Sequence, residues 1–250
     1  MRIARRIADL HPLQGAVGLV PTMGALHAGH EALIRAAAEE NDTVVVSLFV
    51  NAAQFEDGSD LAAYPRDEQR DADIAAAAGA DVFFAPSSDE IYPGGYQTWV
   101  EVEELSRGLE GDHRPGHFRG VATICLKLFN IVRPRRAYFG QKDAQQVAVV
   151  RRMVGDLNLD IEIRSLPTVR DADGLALSSR NARLSPAERE RALALPRALA
   201  TRDLDAARQA LDGLHVDYVE VADFDPRVLA AAVRVGTTRL IDNVVLEEEQ

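Results

Sequence analysis

With 250 residues, 47% hydrophobic and 27% charged, the chain is too apolar for disorder; at about 150 residues per domain it holds one large domain, or a large and a small one. Its net charge of −11, with an acidic cluster at Glu247, Glu248, Glu249 and then Gln250, disfavours nucleic acid and obliges any anionic ligand to find a local convergence of cations. The single cysteine, Cys125, excludes an intrachain disulfide and a cysteine-rich metal site, and without a signal-like start or an apolar stretch near about 18 residues the expectation is a cytoplasmic protein with no membrane partner.

Residues 17–20 read as a short strand, followed by a loop over 21–30 and an alanine-rich helix over about 30–40. The run 43–50 is mostly β-branched, as in a strand buried on both faces, and completes a βαβ unit. The alternation continues: helix 66–78, strand 81–85, helix 120–132, strand 137–139, helix 143–158, strand 161–166. It predicts an α/β fold with a doubly wound parallel (Rossmann-like) sheet, which binds ligands at the carboxyl ends of its strands. Beyond about residue 170, helices over 186–201 and 204–214 and short strands near 218–221 and 239–241 predict a second, smaller α+β C-terminal domain. The expected division is 1–170 and 171–250. Cys125, within an apolar helical run, reads as a buried core thiol.

Three strand-end loops carry the chemistry. Pro21-Thr22-Met23-Gly24-Ala25-Leu26-His27-Ala28-Gly29-His30 joins the first strand to the first helix, and places two histidines where unpaired backbone N–H groups and the helix dipole favour phosphate. Tyr138-Phe139-Gly140-Gln141-Lys142-Asp143 puts Lys142 at the mouth of the sheet; alone, it reads equally as a helix-start surface segment. Val169 to Asn181, with Leu177, Ser178, Ser179 and Arg180, offers hydroxyls and a guanidinium to phosphate oxygens, although Ser and Asn are ordinary loop residues too. Together they supply His27, His30, Lys142 and Arg180, read as the local positive charge for ATP. The His-x-Gly-His signature resembles the nucleotidyltransferase superfamily.

The longer motifs narrow this. Val46 through Phe55, Tyr64-Pro65-Arg66, Leu109-Glu110-Gly111, Arg114-Pro115-Gly116-His117-Phe118-Arg119-Gly120 and Arg239-Leu240-Ile241-Asp242-Asn243 together resemble the pantothenate synthetase (pantoate–β-alanine ligase) family from about Val17 onward. The resemblance implies a homodimer that uses ATP and Mg2+ to condense pantoate with β-alanine through a pantoyl adenylate, releasing AMP and pyrophosphate. It assigns ATP contacts to Met23, Gly24, Ala25, Leu26, His27, Ala28, Gly29, His30, Gly140, Gln141, Lys142, Asp143, Val169, Leu177, Ser178, Ser179 and Arg180. Pantoate falls to Gln54 and Gln146, with Asn51, Tyr64 and Arg114 beside them; His30 is the implied proton donor, and Asp71 matches a magnesium-proximal acid. Ala52-Ala53 stands where the family usually has Pro-Met, Gln141 where Glu is more frequent, and the start and the stretch 200–216 are shorter than usual. Rival readings are a nucleotidyltransferase that forms no amide, a class I aminoacyl-tRNA synthetase, for which length and charge are wrong, and a non-catalytic nucleotide binder.

Overall fold

The apolar runs found in the sequence pair edge to edge into one parallel sheet in the computed structural model, which describes residues 1–55 and 58–246; the acidic cluster at 247–250 lies outside the described residues. Strands β1 (Arg2–Ala4), β2 (Val17–Thr22), β3 (Thr43–Leu48), β4 (Val82–Phe84), β5 (Arg136–Gly140) and β6 (Glu162–Leu166) lie in the order β1-β4-β3-β2-β5-β6, every pair parallel. Helices α1 (Ala28–Glu40), α2 (Gly58–Ala62), α3 (Glu68–Ala78), α4 (Ser88–Ile91), α5 (Glu110–His113), α6 (His117–Val132) and α7 (Ala144–Asp156) run between and around the strands.

Successive strand residues face opposite sides of a sheet, and the two cores follow that rule. Val44 and Val46 of β3, with Val20 and Phe83, pack under α1 and α3 against Ile34, Ala37 and Ala75. Val45, with Leu19, Phe84 and Phe139, packs on the other face under α6 and α7 against Val121, Leu128, Val149 and Met153. That two-sided burial is why β3 lacks polar alternation.

The chain then forms α8 (Pro186–Ala192), α9 (Ala194–Leu199), α10 (Leu204–Ala210) and the antiparallel sheet β7 (His215–Ala222), β8 (Val228–Val235), β9 (Thr238–Val245), ordered β7-β8-β9. The single helix expected over 186–201 is broken at Leu193, because Pro196 has no N–H to give the carbonyl four residues back. Strand β8 is absent from the sequence-based expectation. Its Ala230-Ala231-Ala232 run favours helix by propensity, yet Leu229, Ala231 and Val233 face one cluster while Val228, Ala230 and Ala232 face another that includes Leu109 and Ala144 of the first unit. The edge strand β1 is likewise unexpected, being three residues long with no readable period.

Buried charge fastens the two units. The Arg239 guanidinium on β9 pairs with both oxygens of Glu110 on α5 (2.6 and 2.8 Å) and, through Nε, with Asp217 on β7 (2.6 Å). The Tyr218 hydroxyl donates to Glu110 at 3.0 Å. Glu110 and Asp217 side chains are 8% and 4% exposed, so neither carboxylate has water to replace the arginine. Arg239→Met leaves Asp217 with Arg234 and Glu110 with Tyr218 and Arg114, so the loss is expected at the lower end of the cost of breaking a buried pair, about 3 kcal/mol, and urea unfolding measures it; a loss below about 1 kcal/mol would mean the network is solvated.

Candidate active site

Strand β2 ends at Thr22, whose hydroxyl donates to the Ser47 carbonyl at 2.7 Å. The chain then turns through Gly24 (φ 90°) and Ala25 (φ 53°) before α1 begins. Asp71, on the first turn of α3 and fully buried, holds this turn: its Oδ2 accepts the Ala25 N–H (2.8 Å) and its Oδ1 the Leu26 N–H (2.7 Å). A Cβ on Gly24 would sit 2.9 Å from Asp71 Oδ2, and the left-handed φ adds a second reason for glycine there. Asp71, expected near magnesium, therefore spends both oxygens on backbone and does not border the cleft.

The turn presents His27 as the N-cap of α1 and His30 one turn in. His27 Nδ1 accepts the Gly29 N–H (3.2 Å) and His30 Nδ1 accepts the His27 N–H (3.3 Å), their ring centroids 4.2 Å apart. With each Nδ1 an acceptor, the proton of each neutral ring sits on Nε2. Burial, then the Lys142 charge, brings His27 down to about 4; burial, then His27, brings His30 down to about 3. Burial runs against the expectation that these histidines add positive charge: as neutral rings they are donors, and among the described residues the cationic side chains bordering the cleft are Lys142, Arg180 and Arg114.

Strand β5, next to β2, delivers Gly140 and the short turn Gln141–Asp143 to the same end of the sheet. Lys142 Nζ lies 3.5 Å from Asp143 Oδ1. Burial pushes the Asp143 carboxyl up, but the charges of Lys142, Arg180 and Arg114 outweigh it and hold the group below its ordinary range. The turn is fixed from the second sheet: Asn243 Nδ2 on β9 donates to the carbonyls of Gln141 (2.9 Å) and Lys142 (2.8 Å). Gln141 points its side chain away, accepting from the Ser165 hydroxyl at 2.8 Å.

The third wall follows β6. Leu177 N–H donates to the Val169 carbonyl at 3.0 Å, bringing residues 166–169 beside Leu177, Ser178, Ser179 and Arg180. Ser178 caps the turn Ser179–Arg183 by accepting the Arg180 N–H. Arg170 is anchored in a two-pronged pair on Asp242 of β9 (2.6 and 3.1 Å).

At the far end, Gln54 sits on the short turn Ala52–Gln54, pressed onto α6 at Gly120, where a Cβ would lie 2.5 Å from the Ala53 carbonyl oxygen. Asn51 Nδ2 donates to Gln54 Oε1 and to the Gly120 carbonyl, both at 3.1 Å, and the Tyr92 hydroxyl donates to Asn51 Oδ1 at 3.0 Å. His117 Nδ1 lies 3.0 Å from the Gln54 carbonyl, while Arg114 Nη1 donates to His117 Nε2 at 3.1 Å. That pairing places the His117 proton on Nδ1; burial, then Arg114, brings its pKa down to about 3. Phe49, Val121, Ile124, Cys125 and Leu128 floor this end of the cleft. Burial pushes the Cys125 thiol up to about 12, so it is a core thiol that also touches the cleft.

One cleft thus gathers Met23, His27, Gly29 and His30 with Gly140, Lys142 and Asp143, the third wall at Val169 and 177–180, and Asn51, Gln54, Tyr64, Arg114 and Gln146. Gly24, Ala25, Leu26, Ala28 and Gln141 shape its walls from behind rather than line it. Adjacent glutamines diverge: Gln146 borders the cleft, whereas Gln145 bonds the carbonyls of Leu105, Arg107 and Gly108. Sequence reasoning assigns no role to His117 or Asn243, although both lie in the motifs it singles out. The contacts that place them, to the carbonyls of Gln54 and Lys142, span 63 and 101 residues, and no local spacing reveals those.

The chain matches the pantoate-beta-alanine ligase family over residues 2–245. Pantothenate synthetase from Moorella thermoacetica is 52% identical over 93% of this chain and 91% of its own, and that from Geobacter sulfurreducens 47% over both complete chains. Crystallised pantothenate synthetase from Thermus thermophilus superposes with a TM-score of 0.93 at 44% identity, covering 98% of this chain and 99% of its own. The Francisella tularensis pantoate-beta-alanine ligase, crystallised with beta-gamma ATP and beta-alanine, gives 0.86 at 37% identity, covering 98% and 97%.

Unfolded histidines titrate near about 6.5, whereas His27, His30 and His117 stay neutral to about 4, 3 and 3 in the fold. The unfolded chain therefore binds more protons as pH falls, so this contribution to stability is complete above about pH 6.5 and shrinks toward pH 4. Nitrogen-15 NMR should find all three rings neutral at pH 6, with the proton on Nε2 in His27 and His30; a ring titrating near 6.5 would contradict the arrangement. Separately, Asp71→Ala should slow turnover by at least about tenfold through loss of the loop without altering the magnesium dependence; a raised magnesium requirement would make it a metal ligand after all.

Proposed function

The chain belongs to the pantoate–β-alanine ligase family and joins pantoate to β-alanine using ATP, the ligase step of pantothenate biosynthesis, and we propose that it does so through a pantoyl adenylate formed at the cleft between the ends of β2 and β5. The observation that carries this reading is the pair of Nε2–H donors beside Lys142, a set matched to charge developing on an α-phosphate.

Pantoate's carboxylate is ionised at neutral pH, so its attack needs no base. A carboxylate oxygen bonds to the α-phosphorus, the bond to the bridging oxygen of the β-phosphate breaks, and pyrophosphate leaves with the electron pair. The obstacle is the approach of two anions, and fixed donors that need no reorganisation lower it. His27 and His30 donate to the α-phosphoryl oxygens, with His30 the proton donor that the family resemblance implies. Lys142, Ser178, Ser179 and Arg180 hold the phosphates, while Met23, Gly29, Gly140, Val169 and Leu177 border the nucleotide.

Gln54 has its carboxamide oxygen occupied by Asn51, which leaves the amide nitrogen as donor to pantoate, with Gln146 opposite. Tyr64 and Arg114 close that end, and the apolar floor at Phe49, Val121 and Leu128 suits pantoate's dimethyl carbon. The β-alanine amine then attacks the acyl carbon and AMP departs, a step that demands exclusion of water.

For Mg2+, one carboxylate among the described residues borders the cleft. This ion keeps several waters and takes one or two carboxylates together with substrate phosphates; Asp143 borders the cleft, whereas Asp71 has both oxygens committed. Mg2+ would offset phosphate charge there. Family resemblance also supports a homodimer, a cytoplasmic location and a division into 1–170 and 171–250 with the second unit as a lid. Among the described residues no helix is long and apolar enough to cross a membrane.

The test is AMP release from ATP, D-pantoate and Mg2+ with and without β-alanine. Multiple turnovers only with β-alanine are expected; pyrophosphate without AMP would indicate a nucleotidyltransferase. His30→Ala and Lys142→Ala should each slow adenylate formation by about 2–4 kcal/mol, some 30- to 1000-fold; the parental rate in either would overturn these assignments.

A further inference from the structure

The apolar seam between the two units holds a side chain that packing alone does not explain. Along β9, Ile241 and Val245 pack against the cluster that joins the small sheet to Leu109 and Ala144 of the first unit. Strand alternation puts Asn243 on that same face, where the residue is 4% exposed. Its carboxamide is only half satisfied: Nδ2 donates to the carbonyls of Gln141 and Lys142, whereas Oδ1 is buried with no hydrogen-bond partner among the described residues. An unmade buried acceptor costs stability, and an aliphatic side chain at this position would avoid that cost. What the amide alone supplies is its pair of N–H donors.

Both donors go to one place. The two carbonyls belong to the three-residue turn Gln141–Asp143 between β5 and α7, and none of that turn's residues is buried. Asn243, by contrast, is held firmly. Its strand pairs with β8 along its whole length, and its own N–H donates to Asp242 Oδ1 (2.8 Å), the carboxylate that grips Arg170. A well-fixed strand thus pins a loosely packed turn.

We propose that Asn243 is a positioning residue for the first chemical step: it holds the Lys142 backbone from the second unit, so that the ammonium stands where charge builds up on the phosphates. The inference rests on the adenylate reading above and on the part Lys142 plays in it. Asn243 does not border the cleft, so its effect on rate passes through Lys142. Fixed charge lowers a barrier most when it needs no reorganisation, and a displacement of about 1 Å can cost on the order of a hundredfold in rate.

The test is a double-mutant cycle on first-turnover pyrophosphate release from ATP, D-pantoate and Mg2+ without β-alanine. Asn243→Ala should slow that release about tenfold, with the KM for pantoate within about twofold of the parent. In the Lys142→Ala background the same substitution should add less than about twofold, because the group it positions is gone. Asn243→Asp keeps the shape and loses both donors, so it should be as slow as Asn243→Ala. The parental rate in either variant overturns the proposal. So does an undiminished loss in the Lys142→Ala background, the mark of a general weakening of the fold. Asn243→Ser carries the same comparison should the alanine variant not fold. A parent enzyme that turns over with β-alanine but releases no pyrophosphate without it defeats the adenylate reading, and this proposal with it.

Discussion

Strands β2 and β5 lie side by side and parallel, but the chain leaves them toward opposite faces of the sheet: β2 leads into α1, packed on one core, and β5 into α7, packed on the other. Two loops that diverge from adjacent strand ends must open a crevice between them. Everything else at the site depends on that geometry. The histidine loop and the lysine turn face each other because they have nowhere else to go, and β6, on the far side of β5, brings the serine–arginine loop to the same mouth.

What the sheet positions coarsely, buried polar groups fix finely. Asp71 ties down the turn before His27 from one side, and Asn243 ties down the turn carrying Lys142 from the other. Neither borders the cleft, and both act by holding backbone. Asn243 belongs to β9, next to Asp242, which anchors Arg170, and near Arg239, which is locked to Glu110. The small sheet is therefore mechanically part of the cleft: movement of β9 would be transmitted directly to the Lys142 turn. The electrostatics share this economy. In the role proposed for them, the histidines of this acidic protein would meet a polyanion through oriented neutral N–H groups instead of charge.

Much of this is legible in the sequence. The β-branched run at 43–48 and the regular alternation after it set the parallel sheet, since burial on both faces leaves a continuous apolar signature. The cleft-lining residues at 23, 27, 29, 30, 140, 142, 143 and 177–180 are visible because chemistry at strand ends has to be carried by local motifs. What the sequence hides is non-local or runs against propensity. Strand β8 lies in an alanine-rich segment whose extended form comes from cores on both its faces. The helix at 186–199 loses its continuity to one proline. His117, Asn243 and the clamp role of Asp71 depend on partners brought together only by folding, and the neutral state of the histidines depends on burial and on which nitrogen meets the backbone.

The central claim is that pantoate's own carboxylate attacks the α-phosphorus. Carrying out one turnover with pantoate labelled with oxygen-18 in its carboxylate, and then weighing the products, tests it most directly. The account predicts one labelled oxygen in AMP and none in pyrophosphate. Label appearing in inorganic phosphate or pyrophosphate, or AMP emerging unlabelled, would show that the cleft activates pantoate by some other bond, and the roles given to His27, His30 and Lys142 would fall.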